Sequence, residues 1–298
     1  MTLKKKEAKT GWMLILPFLT GFLLFYIIPF GISVYYSFTS GLGGSSFAGF
    51  QNYVQVFHSF AFRKAAYNTF RFMGLGIPLI MLLSLGLALL MYEGAGKTAG
   101  FQQLFLYPMM IPIGASVMFF QVMLSEYGVL NHICQIFGLP GQQWLESGHA
   151  FYVLLFLYIW KNCGYNIVLF TTGLAAIPRE YREAAWMEGA GRLQYFRWIE
   201  CPLLAPSFLF VFVMSIVNSF KCYREAYLLS GKYPHDSIYM LQHYMNNNFE
   251  NLNYQRLSVA ALLVFSVIFL LTASLFAARQ YTETDPTERR GYRAKHKK

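Results

Sequence analysis

The stretch LAAIPREYREAAWMEGAGRLQYFRWIECPLLAP, residues 174–206, is the longest polar and charged segment in the middle of an otherwise apolar chain. It predicts two short amphipathic helices. Pro178 suits a first helical turn, because the N–H that proline lacks has no helical partner there in any case. Gly189 ends the first helix, and the second is expected over residues 192–200, since Pro202 disfavours an ordinary continuation.

This stretch has the composition of a docking surface. Its small residues are Ala184, Ala185, Gly189 and Ala190. They carry so little side chain that another protein can approach the backbone closely. Glu183 and Glu188 offer carboxylates to basic groups on such a partner. We therefore predict a docking loop over residues 177–203.

The composition indicates a membrane protein. Of the 298 residues, 56% are hydrophobic and only 13% are charged, and the mean hydropathy is +0.38. A soluble domain carries about 25% charged residues. The net charge of +10 does not indicate a nucleic-acid partner, because the basic residues gather beside hydrophobic runs, as topology signals do.

Apolar runs predict an all-α, polytopic fold with about six transmembrane helices, each long enough for the ~20 residues that hydrocarbon requires. The expected spans are residues 12–38, 72–92, 101–124, 150–176, 203–220 and 257–278. Together they form one membrane domain, residues 12–278. A cytoplasmic segment, residues 1–11, precedes it, and a basic, disordered cytoplasmic tail, residues 279–298, follows it.

The basic residues predict the orientation of these spans. If both termini, the loop between the second and third spans and the docking loop lie in the cytoplasm, 16 of the 24 Lys and Arg residues lie there as well. Cytoplasmic loops of membrane proteins carry such an excess of positive charge. The docking loop is therefore expected to face the cell interior.

The spacing within the docking loop resembles the EAA loop of ABC-importer permeases, the cytoplasmic segment that seats in an ATPase subunit. The matching residues are Glu183-Ala184-Ala185, Gly189 at six positions after the glutamate, Ile199 at sixteen and Pro202 at nineteen. The phrase FAGFQNY at residues 47–53 is similar to the outer segment of the first of two paired permeases in carbohydrate importers. Two positions depart from that branch: Glu188 stands where Asp is common, and Cys201 where Leu is common.

The resemblance implies a permease subunit that is not itself an enzyme, in a bacterial-type cytoplasmic membrane. Its implied partners are a second permease, two ATPase subunits and an extracytoplasmic binding protein. ATP and Mg would be bound by the ATPases, so no cofactor or metal is expected in this chain. The implied ATPase-coupling residues are Glu183, Ala184, Ala185, Glu188, Gly189, Ala190, Ile199 and Pro202. The implied substrate is a sugar or oligosaccharide, with a phosphorylated polyol or other small solute as the alternative.

Polar residues in the fourth span indicate part of a substrate route. Lys161 is ionisable within a span, and such residues usually face a bundle interior or a water-filled cavity. Around it, at helical spacings, lie Tyr158, Asn162, Tyr165 and Asn166. Two interpretations stay open: Lys161 contacts the ligand, or it has a structural role, in which it either pairs with a carboxylate such as Glu225 or extends to the membrane interface.

The fifth span ends in a second polar face. Asn218, Lys221 and Glu225 recur at spacings of three and four, which places them on one side of a helix. Lys221 and Glu225 are also spaced for an ion pair. The face either lines the substrate route or holds helices together.

Other functional classes fit less well. The four cysteines show no CxxC spacing, the six histidines form no HExxH pattern, and neither a GxSxG nor a P-loop sequence occurs. We therefore expect neither catalytic residues nor a metal site. A secondary transporter would show paired halves with broken helices, and it would leave the docking loop unexplained.

Overall fold

The computed structural model describes residues 3–93 and 99–283, and their regular structure is almost entirely helical. Six helical segments of the described residues are long and apolar enough to cross a membrane, and three of them comprise two consecutive helices. The segments are Gly11–Ser37, Phe60–Glu93, Ile113–Ile136, Ala150–Ala175, Ala205–Ser230 and Tyr254–Ala277. The predicted all-α fold with six spans is therefore confirmed. The predicted inner loop at residues 94–98 lies outside the described residues.

The described part contains fifteen α-helices and one two-stranded hairpin. The helices are α1 (Leu3–Phe22), α2 (Ile28–Ser37), α3 (Gln51–His58), α4 (Phe60–Glu93), α5 (Ala99–Met110), α6 (Ile113–Leu124), α7 (Val129–Ile136), α8 (Ala150–Ala175), α9 (Arg179–Met187), α10 (Arg192–Tyr195), α11 (Cys201–Leu203), α12 (Ala205–Lys221), α13 (Tyr223–Ser230), α14 (Leu241–Glu250) and α15 (Tyr254–Glu283). The strands are β1 (Thr39–Ser40) and β2 (Ser46–Phe47). The chain divides into two compact units, residues 1–63 with 244–298 and residues 64–243.

In the first unit, α2 packs along α15. The rings of Phe30 and Phe265 lie 5.1 Å apart between centroids. Beyond the end of α2, the side-chain amide of Gln255 donates to the carbonyl oxygen of Gly41 at 2.8 Å. This contact joins the loop that carries the β1–β2 hairpin to the start of α15.

A π-helical turn, Leu23–Ile27, joins α1 to α2. Its cause is Pro29, which has no N–H to donate and whose ring crowds the carbonyl four residues earlier. The wider turn relieves this crowding, and the N–H of Ile28 donates to the carbonyl of Leu23. The first span is therefore helical throughout, although it contains this proline.

In the second unit, α8 occupies the centre of the core. The rings of Phe72 and Phe151 meet edge to face, and Phe72 meets Tyr158 in the same way. Gly164 allows α5 to approach closely, because a Cβ at this position would lie 1.8 Å from the carbonyl oxygen of Phe105. Small residues at such contacts let helix backbones come together.

The second span begins earlier than predicted, at Phe60, and its added turns hold a distant segment. The side-chain amide of Asn68 donates to the carbonyl oxygens of Asp236 and Tyr239, at 2.6 and 2.9 Å. The hydroxyl of Thr69 accepts a hydrogen bond from the N–H of Leu241 at 3.0 Å. These contacts fix the segment that precedes α14 against α4.

The third span is not the single helix that we predicted over residues 101–124. It breaks between α5 and α6, where Pro112 adopts an extended conformation with φ −54° and ψ 138°. Proline cannot donate a helical hydrogen bond, and it also disfavours helical angles in the residue before it. The membrane-length apolar segment starts only after this break.

The fifth span is longer than predicted. At Cys222 the N–H still donates to the carbonyl of Asn218, at 3.1 Å, so the helix continues as α13. It ends only at Gly231, where φ is +74°. The charged residues that this places within the span are Lys221, Arg224 and Glu225.

The helices at the two ends extend beyond the predicted membrane domain, residues 12–278, although the outermost spans begin at Gly11 and end at Ala277, within one residue of it. Helix α1 begins at Leu3, inside the predicted N-terminal segment. Helix α15 runs through Glu283, so residues 279–283 are helical and not part of a disordered tail. The rest of the predicted tail, residues 284–298, lies outside the described residues.

Replacement of Gly164 by alanine tests the packing of α5 on α8. The added methyl group has no space against the backbone of Phe105, so the helices must separate. We expect a destabilisation of about 1–3 kcal/mol, measured as a lower thermal midpoint of the purified protein in detergent. Gly86→Ala is the matched control, since a Cβ there meets nothing within 4 Å. Equal midpoints for the two variants would contradict this account.

Candidate functional site

The first helix of the docking loop, α9, ends in a glycine cap. Gly189 has φ +77°, in the left-handed region that favours glycine. Its N–H donates to the carbonyl of Trp186 at 3.0 Å, and the N–H of Ala190 donates to the carbonyl of Ala185 at 2.9 Å. This pair of bonds is a Schellman motif. Gly189 therefore sets the direction in which the chain leaves α9.

The predicted coupling residues do not all face outward. Glu183, Ala184, Glu188, Gly189 and Pro202 are exposed, and Ala190 and Ile199 are half-buried. Ala185 is only 7% exposed and packs against the protein. Two of the three residues in the Glu-Ala-Ala triplet therefore remain accessible to a partner. Pro178 lies one position before α9, with ψ 138°, and not in its first turn as predicted.

Large apolar side chains share this exposed surface. Met187 is 88% exposed and Leu193 is 77% exposed, and Trp186 and Trp198 are more than half exposed. Exposed apolar patches commonly mark protein-binding surfaces. Met187 is the last residue of α9, and the predicted docking residues did not include it.

The second helix of the loop does not end before Pro202, contrary to the prediction. A π-helical turn, Phe196–Glu200, precedes the proline, as another such turn precedes Pro29. Beyond it, the N–H of Leu204 donates to the carbonyl of Glu200 at 2.8 Å, and the N–H of Phe208 donates to the carbonyl of Leu204 at 2.9 Å. Helical hydrogen bonding therefore runs from the loop into α12.

An arginine ties the docking loop to the end of the second span. The Arg192 guanidinium donates to a carboxylate oxygen of Glu200 at 2.5 Å and, through Nε, to Glu93 at the end of α4. Glu200 is only 3% exposed. Burial lowers the pKa of Arg192, but the two carboxylates outweigh it, so its pKa is raised overall.

This ion-pair network was not predicted from the sequence. Glu93 precedes Arg192 by 99 residues, and no local pattern connects them. The one feature of the sequence that indicated such a network is Glu200, an acidic residue inside the second amphipathic helix. A carboxylate among apolar neighbours in a helix usually requires a basic partner when it is buried.

A polar cavity of about 160 Å³ lies between α8 and the fifth span. The predicted route residues that line it are Tyr158, Lys161, Asn162, Asn218, Lys221 and Glu225. Met109 and Ile113 supply apolar surface, and Arg224 adds a cation that the prediction did not include. The structure thus brings together polar residues of two spans that the sequence could only place separately.

Within this cavity Lys161 pairs with Glu225. The Nζ atom lies 2.6 Å from Oε1, and the two side chains are 16% and 10% exposed. The contact supports the interpretation that Lys161 pairs with a carboxylate, although the Lys161 side chain also lines the cavity. The predicted ion pair between Lys221 and Glu225 is wrong. The carboxylate pairs instead with the more deeply buried cation, where an unpaired charge would be more costly.

Tyr165 and Asn166 do not line the cavity, so the predicted polar stripe along α8 is shorter than expected. The Asn166 amide donates to the hydroxyl of Ser215 at 3.2 Å. The hydroxyl of Tyr158 donates to the carbonyl of the same serine at 2.9 Å. Asn166 is therefore buried in the contact between α8 and α12, and Tyr165 is half-buried outside the cavity lining.

Comparison with known proteins places the sequence among transport components. Residues 41–282 match the family described as binding-protein-dependent transport system inner membrane component. The trehalose/maltose transport system permease protein MalF of Thermococcus litoralis is 30% identical over 238 residues, which cover 78% of this chain and 80% of that protein. The sn-glycerol-3-phosphate transport system permease protein UgpA of Salmonella typhimurium is 32% identical over 213 residues, which cover 70% of this chain and 72% of that protein.

A solved structure shares the fold. A bacterial alginate ABC transporter, crystallised in complex with an alginate pentasaccharide-bound periplasmic protein, contains a chain that matches with a TM-score of 0.80. The match covers 94% of this chain and 98% of that one, at 22% identity, and so shows the similarity of fold. The family resemblance that the docking-loop spacing indicated is confirmed.

Removing the carboxylate from the buried ion pair should destabilise the protein. Glu225→Gln leaves Lys161 buried without its counter-charge, which costs about 3–5 kcal/mol for a pair of this kind. We expect a marked fall in the thermal midpoint, and the double variant Lys161→Met/Glu225→Leu should regain most of it. Glu126→Gln, at an exposed carboxylate, serves as the control. A double variant as unstable as the single one would contradict the role of the pair.

Proposed function

The chain belongs to the family of binding-protein-dependent transport system inner membrane components, and from this premise we propose that it is the permease subunit of an ATP-driven importer for a sugar or oligosaccharide. The docking loop carries the proposal. It combines a glycine-capped helix, exposed carboxylates and large exposed apolar side chains between two membrane spans. A surface of this kind fits a protein partner that supplies energy from outside the bilayer.

The coupling step in this proposal uses contacts within the chain. An ATPase subunit seats on α9, and its closure on ATP displaces that helix. The Arg192 ion pairs pass the displacement to α4 through Glu93, and the two helical hydrogen bonds that bridge the turn at Leu204 pass it to α12. The two spans then open the polar cavity alternately to the two sides of the membrane.

The remaining parts of the importer follow from the same proposal. A second permease completes the translocation route, two ATPase subunits hydrolyse ATP with Mg, and an extracytoplasmic binding protein delivers the substrate. The chain itself catalyses no reaction. Both termini and the docking loop lie in the cytoplasm, a proposal supported by the excess of Lys and Arg on that side.

A sugar or oligosaccharide is the substrate that the relatives favour. MalF is named for trehalose and maltose, and the amides of Asn162 and Asn218 in the cavity lining suit a hydroxyl-rich ligand. A phosphorylated polyol is the alternative, because UgpA is named for sn-glycerol 3-phosphate.

Co-purification of the chain from its host tests the proposed importer: two ATPase subunits and a second permease should accompany the chain. A lone chain that transports solute would favour a secondary transporter.

The glycine cap of α9 fixes the backbone of the docking loop, so we expect coupling to be sensitive to a substitution there. Gly189→Val forces a β-branched residue into the left-handed region, which costs about 1–2 kcal/mol or more and redirects the chain after α9. We expect ATP-dependent uptake by the assembled importer to fall by about tenfold, while the amount of membrane-inserted protein stays the same. Gly191→Val is the control, because Gly191 has an ordinary φ of −73°. Uptake at the normal rate in the Gly189 variant would count against the coupling role.

The exposed carboxylate of α9 should contribute to ATPase binding. Glu183→Lys reverses a charge that is open to the docking partner, so we expect weaker association with the ATPase subunits in co-purification at low salt. Glu126→Lys changes the exposed charge of a loop on the opposite side of the membrane and serves as the control. If both variants retain the ATPase equally well, Glu183 does not lie in the interface.

A further inference from the structure

The charges around the polar cavity point to a particular class of solute. We infer that the cavity binds a polyhydroxylated solute with an anionic group, a carboxylate, phosphate or sulfonate, and that Lys221 and Arg224 bind the anion. This inference rests on the proposed function and narrows its substrate class. Four charged side chains that line the cavity carry the argument: Lys161, Lys221, Arg224 and Glu225.

These four side chains leave an excess of positive charge. Lys161 and Glu225 neutralise each other at 2.6 Å. Among residues 3–93 and 99–283, neither Lys221 nor Arg224 has a carboxylate within 4.0 Å. Both lie in a helix of membrane length, where an uncompensated charge is costly and usually marks a substrate or ion pathway. An anionic ligand would supply the missing charge.

The two unpaired cations suit an oxyanion. Arg224 follows Lys221 by three positions, so the two side chains lie on neighbouring parts of one helix surface. A guanidinium presents a planar set of N–H donors that matches carboxylate or phosphate oxygens in pairs, while a lysine ammonium adds a point charge. The two groups together can bind one anionic group from two sides.

The rest of the cavity suits hydroxyl groups. Glu225 is only 8% exposed, and its Oε2 atom is buried and accepts no hydrogen bond from the described residues. A carboxylate oxygen can accept only from donors, and ligand hydroxyls are donors. The amides of Asn162 and Asn218, which can both donate and accept, line the same cavity.

A neutral sugar would satisfy only half of this arrangement. It could donate to Glu225 and bond to the two amides, but Lys221 and Arg224 would stay without a counter-charge. An inorganic anion would satisfy the cations and leave the Glu225 oxygen unused. A sugar acid or phosphorylated polyol uses both parts.

Uptake by the complete importer in proteoliposomes tests the inference. The probes are two matched pairs, glucuronate with glucose and glycerol 3-phosphate with glycerol, and each is offered with the cognate binding protein and with internal ATP. We expect the anionic member of at least one pair to enter about tenfold faster than its neutral partner. The pair that shows the difference distinguishes a carboxylate from a phosphate.

Variants then locate the anion site. Lys221→Gln and Arg224→Gln should each reduce uptake of the anionic probe by about tenfold, and Arg224→Lys should lose less than Arg224→Gln. Arg63→Gln removes an exposed cation outside the cavity and should leave the anionic preference intact. Co-purification of the partner subunits shows that each variant importer is assembled.

The possible failures are distinguishable. Uptake of neutral glucose at the same rate as glucuronate, and of glycerol at the same rate as glycerol 3-phosphate, would overturn the anion site and leave the proposed importer standing. Loss of partner subunits from Lys221→Gln or Arg224→Gln would assign the cations to a carboxylate of a neighbouring subunit and would also overturn it. Failure of two ATPase subunits and a second permease to co-purify with the unaltered chain would count against the importer itself.

Discussion

Hydrocarbon offers no hydrogen-bond partners, so each backbone N–H and carbonyl in a span must find one within the protein. The prolines show how this chain meets that constraint. Pro29 and Pro202 each follow a π-helical turn, Leu23–Ile27 and Phe196–Glu200, in which the bonding pattern shifts and the helix continues. Pro112 instead ends a helix, and the chain resumes at Ile113. Pro29 therefore lies within a continuous span, whereas Pro112 ends a helix just before the next span begins.

The continuity at Pro202 matters for function. If the docking loop ended in a flexible joint, a partner that moved α9 would leave the spans behind. The structure instead shows helical bonding from the loop into α12 and an ion pair from Arg192 to the end of α4. A displacement at the loop therefore has two structural routes into the bundle. The Schellman cap at Gly189 fixes the angle at which the first route begins.

The charges within the spans follow the same physical logic. Burial makes an unpaired charge costly, so the most deeply buried cation of the cavity, Lys161, takes the carboxylate of Glu225. Lys221 and Arg224 remain open to the cavity. The cavity is therefore neutral at its buried end and positive where it is accessible, and this distribution of charge is the basis of our inference of an anionic solute.

The membrane class, the six spans and the family could all be predicted from the sequence, because hydropathy, span length and the spacing from Glu183 to Pro202 are local properties of the chain. The sequence also identified Lys161 and Glu225 as candidate partners. Only the tertiary structure decided that Glu225 pairs with Lys161 and not with Lys221, and that Asn166 is buried in a helix contact. The Arg192 network likewise depends on residues 99 positions apart. Which of several possible partners a buried charge takes depends on how the helices pack, and no spacing along the chain records that packing.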